Sequence, residues 1–164
     1  MALKHCVGPF KYSKFLRTSV SETSISIQYQ SSADCSSEDI HEFLMPFMES
    51  GFLLSREPGE ITRLKQHGFV ATQDKQIVGF AAVEFYSGKL AELQCLAVAP
   101  EHRRLGIGKA LVRHCCEEAS KVGVKELMAI SASDEMFKAC GFDYSLPNQK
   151  RALFFQAGDS DRTD

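Results

Sequence analysis

The segment LQCLAVAPEHRRLGIGKAL, Leu93 to Leu111, runs from an apolar strand through a glycine-containing loop into a helix. The apolar run Leu96-Ala97-Val98-Ala99 stops at Pro100, a basic turn His102-Arg103-Arg104 follows, and Gly106-Ile107-Gly108 opens a helical pattern. Strand, glycine loop and helix N-terminus in that order form an anion-binding device. Glycine lets the backbone approach a ligand closely, the first N–H groups of a helix have no intrahelical partner, and the helix dipole favours negative charge there. The spacing is not that of a dinucleotide fingerprint, which needs Gly-x-Gly-x-x-Gly within a first βαβ unit. Nor is it a P-loop, because no Gly-Lys-Ser/Thr closes a longer glycine loop.

Apolar periodicity predicts the elements on either side of this loop. The loop helix should cover about Leu105 to Lys121, with Ile107, Ala110, Leu111, Cys115, Ala119 and Val122 inward and Gly123 as its cap. Val124 to Ile130 reads as a strand, Asp134 to Cys140 as a short helix closed by Gly141, and Leu153-Phe154-Phe155 as a final strand. Upstream, the strand Leu90 to Val98 follows the strand Ile77 to Phe85 through the turn Ser87-Gly88-Lys89. Phe69 to Thr72 joins that pair through the hairpin turn Gln73 to Gln76, and Ser24 to Gln30 alternates as a half-buried strand. Ser36 to Gly51 has the N-cap, early acids and apolar spacing of a helix, in which Pro46 should introduce a kink or a break. A second helix is expected over about Pro58 to Gln66, with Ile61 and Leu64 inward.

The resulting order is β-α-α-β-β-β-α-β-α-β-β over residues 24–157, an α/β (α+β) domain. Only the crossover through the loop helix needs a parallel pair, so the central sheet should be mixed. Residues 1–23 read as a flexible basic extension and 158–164 as a polar tail. Lys4, Lys11, Lys14 and Arg17 among hydroxyl residues, with no acid before Glu22, also suit an organelle transit peptide.

With 164 residues, 44% hydrophobic and 24% charged, the chain has the composition of one ordinary globular domain. Its formal net charge of −2 gives no basic footprint for nucleic acid. It has no apolar run of about 18 residues, so membrane spanning is not expected. The six cysteines show no metal-ligand spacing, and reduced thiols in a cytoplasmic protein are expected, with no metal.

The spacing Arg103-x-x-Gly106-x-Gly108, just after a strand ending in Val-x-Pro, resembles the pyrophosphate loop of the GNAT superfamily of acyl-CoA N-acyltransferases. The element order matches the GNAT fold, whose mixed sheet carries helices on both faces and two parallel strands that splay apart. The resemblance implies acetyl-CoA as co-substrate, held by backbone groups of Leu96, Ala97 and Val98 and by the loop Arg103, Arg104, Leu105, Gly106, Ile107, Gly108, Lys109 and Ala110. A backbone N–H from the strand would polarise the thioester carbonyl. The implied partner is a small-molecule amine acceptor, and a homodimer is compatible with the fold.

Acetyl transfer to an amine also needs a group that removes the ammonium proton, because amines such as lysine start near pKa 10. Glu92 is the candidate base, being the only acid between Leu90 and Pro100, on the strand that feeds the loop. Many GNAT enzymes place a tyrosine acid four residues before a closing Gly-Phe, where this chain has Phe137 before Gly141-Phe142. Phenylalanine cannot donate a proton. That departure, with Leu53 to Glu57, Gly79 to Ala82, Ala91 to Val98, Met136 to Phe142 and Leu146-Pro147, is similar to the acetyltransferase domain of N-acetylglutamate synthases. There the base falls on Glu92, a serine acid on Ser133, and carboxylate-binding arginines on Arg56 and Arg151. An arginine fork suits a carboxylate because it donates bidentately. The chain departs from that family at Ile130-Ser131, where Thr-Thr is usual, and at Ala132, where arginine is usual. The resemblance therefore implies glutamate as the leading acceptor, with another small amine, a protein amine, or a silent acyl-CoA-binding module as alternatives.

Overall fold

The computed structural model describes residues 26–131 and 133–144. The extension 1–23, Ala132, Leu146-Pro147, Arg151, the expected strand Leu153 to Phe155 and the tail 158–164 lie outside the described residues.

Among the described residues five strands form one sheet in chain order: β1 (Gln28–Ser31), β2 (Gly68–Gln73), β3 (Gln76–Phe85), β4 (Leu90–Val98) and β5 (Glu126–Ala129). The first four pair antiparallel, and β5 joins β4 in parallel after the helical crossover. The sheet is mixed, as expected. Asp74 and Lys75 both take positive φ in the turn between β2 and β3, the geometry of a two-residue hairpin loop whose twist matches its strands.

Helices cover both faces. On one face α1 (Ser37–Glu49) and α2 (Pro58–Leu64) bury Ile40, Leu44, Ile61 and Leu64 against Val70 and Phe80. On the other, α3 (Ile107–Val122) buries Ile107, Leu111, Val112 and Cys115 against Val83 and Leu93, next to the short helix α4 (Glu135–Lys138). Gly79 permits this approach, since a Cβ there would stand 3.0 Å from a Leu111 methyl and 3.1 Å from an Ile107 methyl.

The structure differs from the sequence reading in several particulars. Helix α1 runs through Pro46 without a break. Pro46 is exposed, so the carbonyl that loses its helical donor faces water, while Leu44 and Phe47 anchor the opposite side in the core. Helix α2 gives way at Leu64 to a 3₁₀ turn, Lys65–His67. Helix α3 begins at Ile107 rather than Leu105, because Gly106 at φ 82° cannot lie in a right-handed helix. Val112 is buried and Val122 exposed, so the apolar stripe is broader at the start of α3 and stops at Ala119. Strand β5 is shorter than the apolar run Val124 to Ile130 suggests, and Ile130 is exposed.

Candidate active site

Strand β4 pairs with β5 only from Leu90 to Leu93, opposite Glu126 to Ala129. It then continues to Val98, so the edge carrying Leu96, Ala97 and Val98 has no parallel partner among the described residues. On its other side the register with β3 slips. Ala82 faces Gln94 but Phe80 faces Ala97, leaving Cys95 and Leu96 together opposite Ala81. This is a β-bulge, with Cys95 at φ 56°. A non-glycine residue held there costs about 1–3 kcal/mol and persists only where its surroundings enforce it. Here the buried Cys95 side chain packs into the α1–α2 core with Ala97, whereas Ala91 and Leu93, before the bulge, face the α3 core. A bulge bends its strand and adds twist, and this one falls where β4 parts from β5. The splay that the family resemblance implies lies there.

The chain leaves β4 through Ala99 and a 3₁₀ turn, Pro100–His102, then takes two left-handed residues, Arg104 at φ 63° and Gly106 at φ 82°. The first helical bond at this end joins the Ala110 N–H to the Gly106 carbonyl at 3.1 Å. The N–H groups of Ile107, Gly108 and Lys109 precede it and have no helical acceptor. No acidic residue occupies this first turn and no side chain caps it, while Arg103, Arg104 and Lys109 stand exposed around it. Gly108 keeps the turn close to its neighbours, since a Cβ there would meet the Met136 sulfur at 3.1 Å. The Arg103 Nε donates to the Val98 carbonyl at 3.3 Å, and its guanidinium stands 5.9 Å from the centre of the Phe52 ring. An uncapped, dipole-positive helix end between arginines fits a pyrophosphate, and the open edge of β4 leads to it.

Glu92 lies on β4 before the bulge and is only 8% exposed. An acid so buried needs partners, and the Tyr86 hydroxyl donates to its Oε2. Glu84 is the cross-strand partner of Glu92. Gln94, one pleat further along β4, donates through Nε2 to Tyr86 Oη at 3.3 Å and to Glu84 Oε2 at 3.4 Å. Its Oε1 accepts from Arg56 Nη2 at 2.7 Å, and Arg56 Nη1 reaches Glu60 Oε1 at 3.1 Å. Burial of its hydroxyl end, then the bond to Glu92, pushes the Tyr86 phenol up to about 12. The Cys95 thiol is pushed up to about 11 by burial, with Arg56 opposing, so it stays neutral at physiological pH.

Arg56 sits between α1 and α2. Its N–H donates to Met48 Sδ at 3.2 Å and its carbonyl lies 3.2 Å from His41 Nε2. It borders a cleft of about 340 Å³ lined also by His41, Met45, Met48, Ser55 and Glu57. Glu60 serves two elements at once, because its Oε2 accepts from the Glu57 N–H at 2.8 Å and so closes the capping box of α2. That N–H first, then Arg56, holds the Glu60 carboxyl below its usual range. A guanidinium carries five N–H donors. Among the described residues two are used, and the buried Nε has no partner.

Ser133 is exposed, and its N–H donates to Ser131 Oγ at 3.1 Å. No hydrogen bond among the described residues joins it to Glu92. Phe137 is buried and stacks edge-on against Phe142, with centroids 5.4 Å apart, so the position of the family's tyrosine acid is filled by a core side chain. The sequence reading missed Tyr86, Gln94 and Glu84. The hairpin gave a usable signal, since a turn centred on Gly88 sets Glu84 opposite Glu92 and leaves Tyr86 at the end of the pair. Among the described residues no cluster of His, Cys, Asp or Glu could hold a metal ion, and no helix is long and apolar enough to cross a membrane.

Residues 34–142 match the Acetyltransferase (GNAT) family. An uncharacterised N-acetyltransferase of Chlorobaculum tepidum is 36% identical over 92 residues, covering 56% of this chain and 59% of that protein. An amino-acid acetyltransferase of Aeromonas salmonicida is 28% identical over 121 residues, covering 70% of this chain and 27% of that one. The chain thus spans less than two thirds of either relative. N-acetylglutamate synthase from Neisseria gonorrhoeae, crystallised with coenzyme A and N-acetyl-glutamate, superposes with a TM-score of 0.61 at 24% identity. That likeness covers 70% of this chain and 27% of that one, and concerns the fold.

Proposed function

Because the chain belongs to the GNAT acetyltransferase family, we propose that it transfers the acetyl group of acetyl-CoA to the amine of a free amino acid, with glutamate the leading acceptor. The observation that carries this is the conjunction at β4. Among the described residues, one strand offers an edge at Leu96 to Val98 without a parallel partner, a buried carboxylate at Glu92, and at its end a helix N-terminus with no side-chain cap, flanked by Arg103 and Arg104.

Each residue then has a distinct task. The N–H groups of Gly106, Ile107 and Gly108 hold the pyrophosphate, with Arg103, Arg104 and Lys109 adding charge. The edge of β4 holds the pantetheine arm as an extended strand would be held. The thioester supplies the activated acyl carbon, and a β4 N–H near the bulge stabilises charge developing on its oxygen. Glu92 removes the ammonium proton, directly or through water. A hydroxyl near the end of β5, Ser133 or its neighbour Ser131, supplies the proton to the departing thiolate.

Arg56, which lines the cleft and whose buried Nε has no partner among the described residues, holds the acceptor carboxylate, and Arg151 assists. The amino-acid acetyltransferase among the relatives supports this acceptor class. A second reading, an amine carrying further positive charge, draws on a specific observation. Glu84 faces Glu92 across the hairpin and Glu60 already engages Arg56, which leaves carboxylates in excess.

A panel of free amino acids and simple diamines, each mixed with acetyl-CoA and read by thiol release, separates the two. Preference for glutamate supports the first reading. Preference for a diamine with no carboxylate replaces it with the second.

A further inference from the structure

We propose that Tyr86 is a positioning residue for the base, holding one oxygen of Glu92 so that the other faces the amine. The proposal rests on Glu92 being the base, and on a hydrogen-bonded chain whose polarity can be worked out group by group.

A guanidinium only donates. The Gln94 oxygen, 2.7 Å from Arg56 Nη2, must therefore accept, and this sets the orientation of the amide. Its NH₂ group then points at Tyr86 Oη, 3.3 Å away, and at Glu84 Oε2, 3.4 Å away. The phenol oxygen accepts from Gln94, so its single proton goes to a carboxylate, and Glu92 Oε2 is the near one, since Glu84 Oε2 stands 3.5 Å away and also faces the Gln94 amide. Reversing the Gln94 amide breaks the series, because Arg56 cannot accept. Burial and the neighbouring carboxylate keep the phenol protonated through the physiological range.

The consequence is a base with one oxygen tied and the other without a hydrogen bond among the described residues. An ionised carboxylate offers about four lone-pair positions, and the phenol uses one. Without it, Glu92 would rotate among terminal orientations, since the last torsion of glutamate is broad. The phenol holds the carboxylate, its hydroxyl has no hydrogen bond to the pyrophosphate loop among the described residues, and Tyr86 is itself half exposed just past the end of β3. Its removal should therefore disturb turnover more than folding.

The test is a double-mutant cycle on kcat with the best acceptor. Tyr86→Phe should lower kcat by about tenfold to a hundredfold, the range for a hydrogen bond to a charged group. KM for acetyl-CoA should change by less than about twofold. In a Glu92→Gln background the same substitution should change kcat by less than about twofold, because the group it positions has gone. Gln94→Leu, which removes the bond that aims the phenol proton and leaves the phenol in place, should give a smaller fall. It keeps the question answerable if Tyr86→Phe does not fold.

Wild-type kcat in folded Tyr86→Phe would overturn the proposal, as would an equal loss in both backgrounds, which would mark an effect independent of Glu92. If Glu92→Gln alone leaves kcat unchanged, the base assignment fails and this proposal falls with it. A strong Glu92→Gln effect beside a silent Tyr86→Phe sinks only the positioning role.

Discussion

Gly106→Glu puts the phosphate loop to a quantitative test. Gly106 caps α3 at φ 82°, and a Cβ there would meet nothing within 4 Å, so a new side chain extends into open space beside the first N–H groups of the helix. A carboxylate about 5 Å from a bound phosphate, at an effective dielectric between 20 and 80, repels each phosphate charge by about 1–3 kcal/mol. That corresponds to a roughly fivefold to hundredfold loss per charge, and two phosphates with a loop exposed to screening give an expected loss of tenfold or more. The left-handed conformation costs a non-glycine residue about 1–2 kcal/mol, and an acid at a helix N-terminus returns about 0.3–1 kcal/mol. For a chain of 164 residues the melting midpoint should therefore fall by only a few degrees. Titration calorimetry with acetyl-CoA measures the affinity, and Gly106→Asn, which tolerates φ > 0 and carries no charge, should bind within a few-fold of wild type. A folded Gly106→Glu variant with unchanged affinity would refute the loop as the anion site.

Glu92→Gln should keep acetyl-CoA affinity but lose about a hundredfold to ten-thousandfold in turnover at neutral pH, recovering in part towards pH 10, where amines deprotonate unaided; equal turnover at neutral pH would place proton removal elsewhere. Arg56→Ala should raise KM for an amino-acid acceptor at least tenfold and leave KM for acetyl-CoA nearly unchanged, with Arg56→Lys recovering only part because the fork is lost; wild-type behaviour in both would remove the carboxylate role. The Tyr86 phenol should titrate near pH 12, seen as the difference in ultraviolet absorbance between wild type and Tyr86→Phe. Because the fold favours the protonated phenol, its contribution to stability is complete below the usual tyrosine value near 10 and disappears as pH rises through 12, and a difference transition at pH 10 would contradict it.

Much of this architecture was legible because periodicity and glycine placement carry direct physical signals. Gly106 and Gly123 bracket α3 in left-handed conformations, and the two apolar runs on either side of Ser87-Gly88-Lys89 gave the hairpin at Gly88. The bulge was not legible, because nothing about cysteine favours φ 56° at Cys95; tertiary packing on both sheet faces imposes it. Its trace is a shift of parity: the residues facing α3 are Ala91 and Leu93 before the bulge and Leu96 and Val98 after it. Pro46 misled in the other direction, because helix propensity ignores the anchoring of Leu44 and Phe47. Glu92 was found by its isolation in an apolar strand. Tyr86 and Gln94 were missed because their part arises from register across the hairpin and from the distant Arg56, 38 positions from Gln94 in the chain.

The most direct test of the central claim is a crystal structure of the chain with acetyl-CoA bound. The pyrophosphate should lie on the N–H groups of Gly106 to Gly108, the pantetheine arm along the β4 edge of Leu96 to Val98, and the thioester beside the bulge within reach of Glu92. Acetyl-CoA bound away from the gap between β4 and β5, or a thioester turned from Glu92 towards solvent, would contradict it.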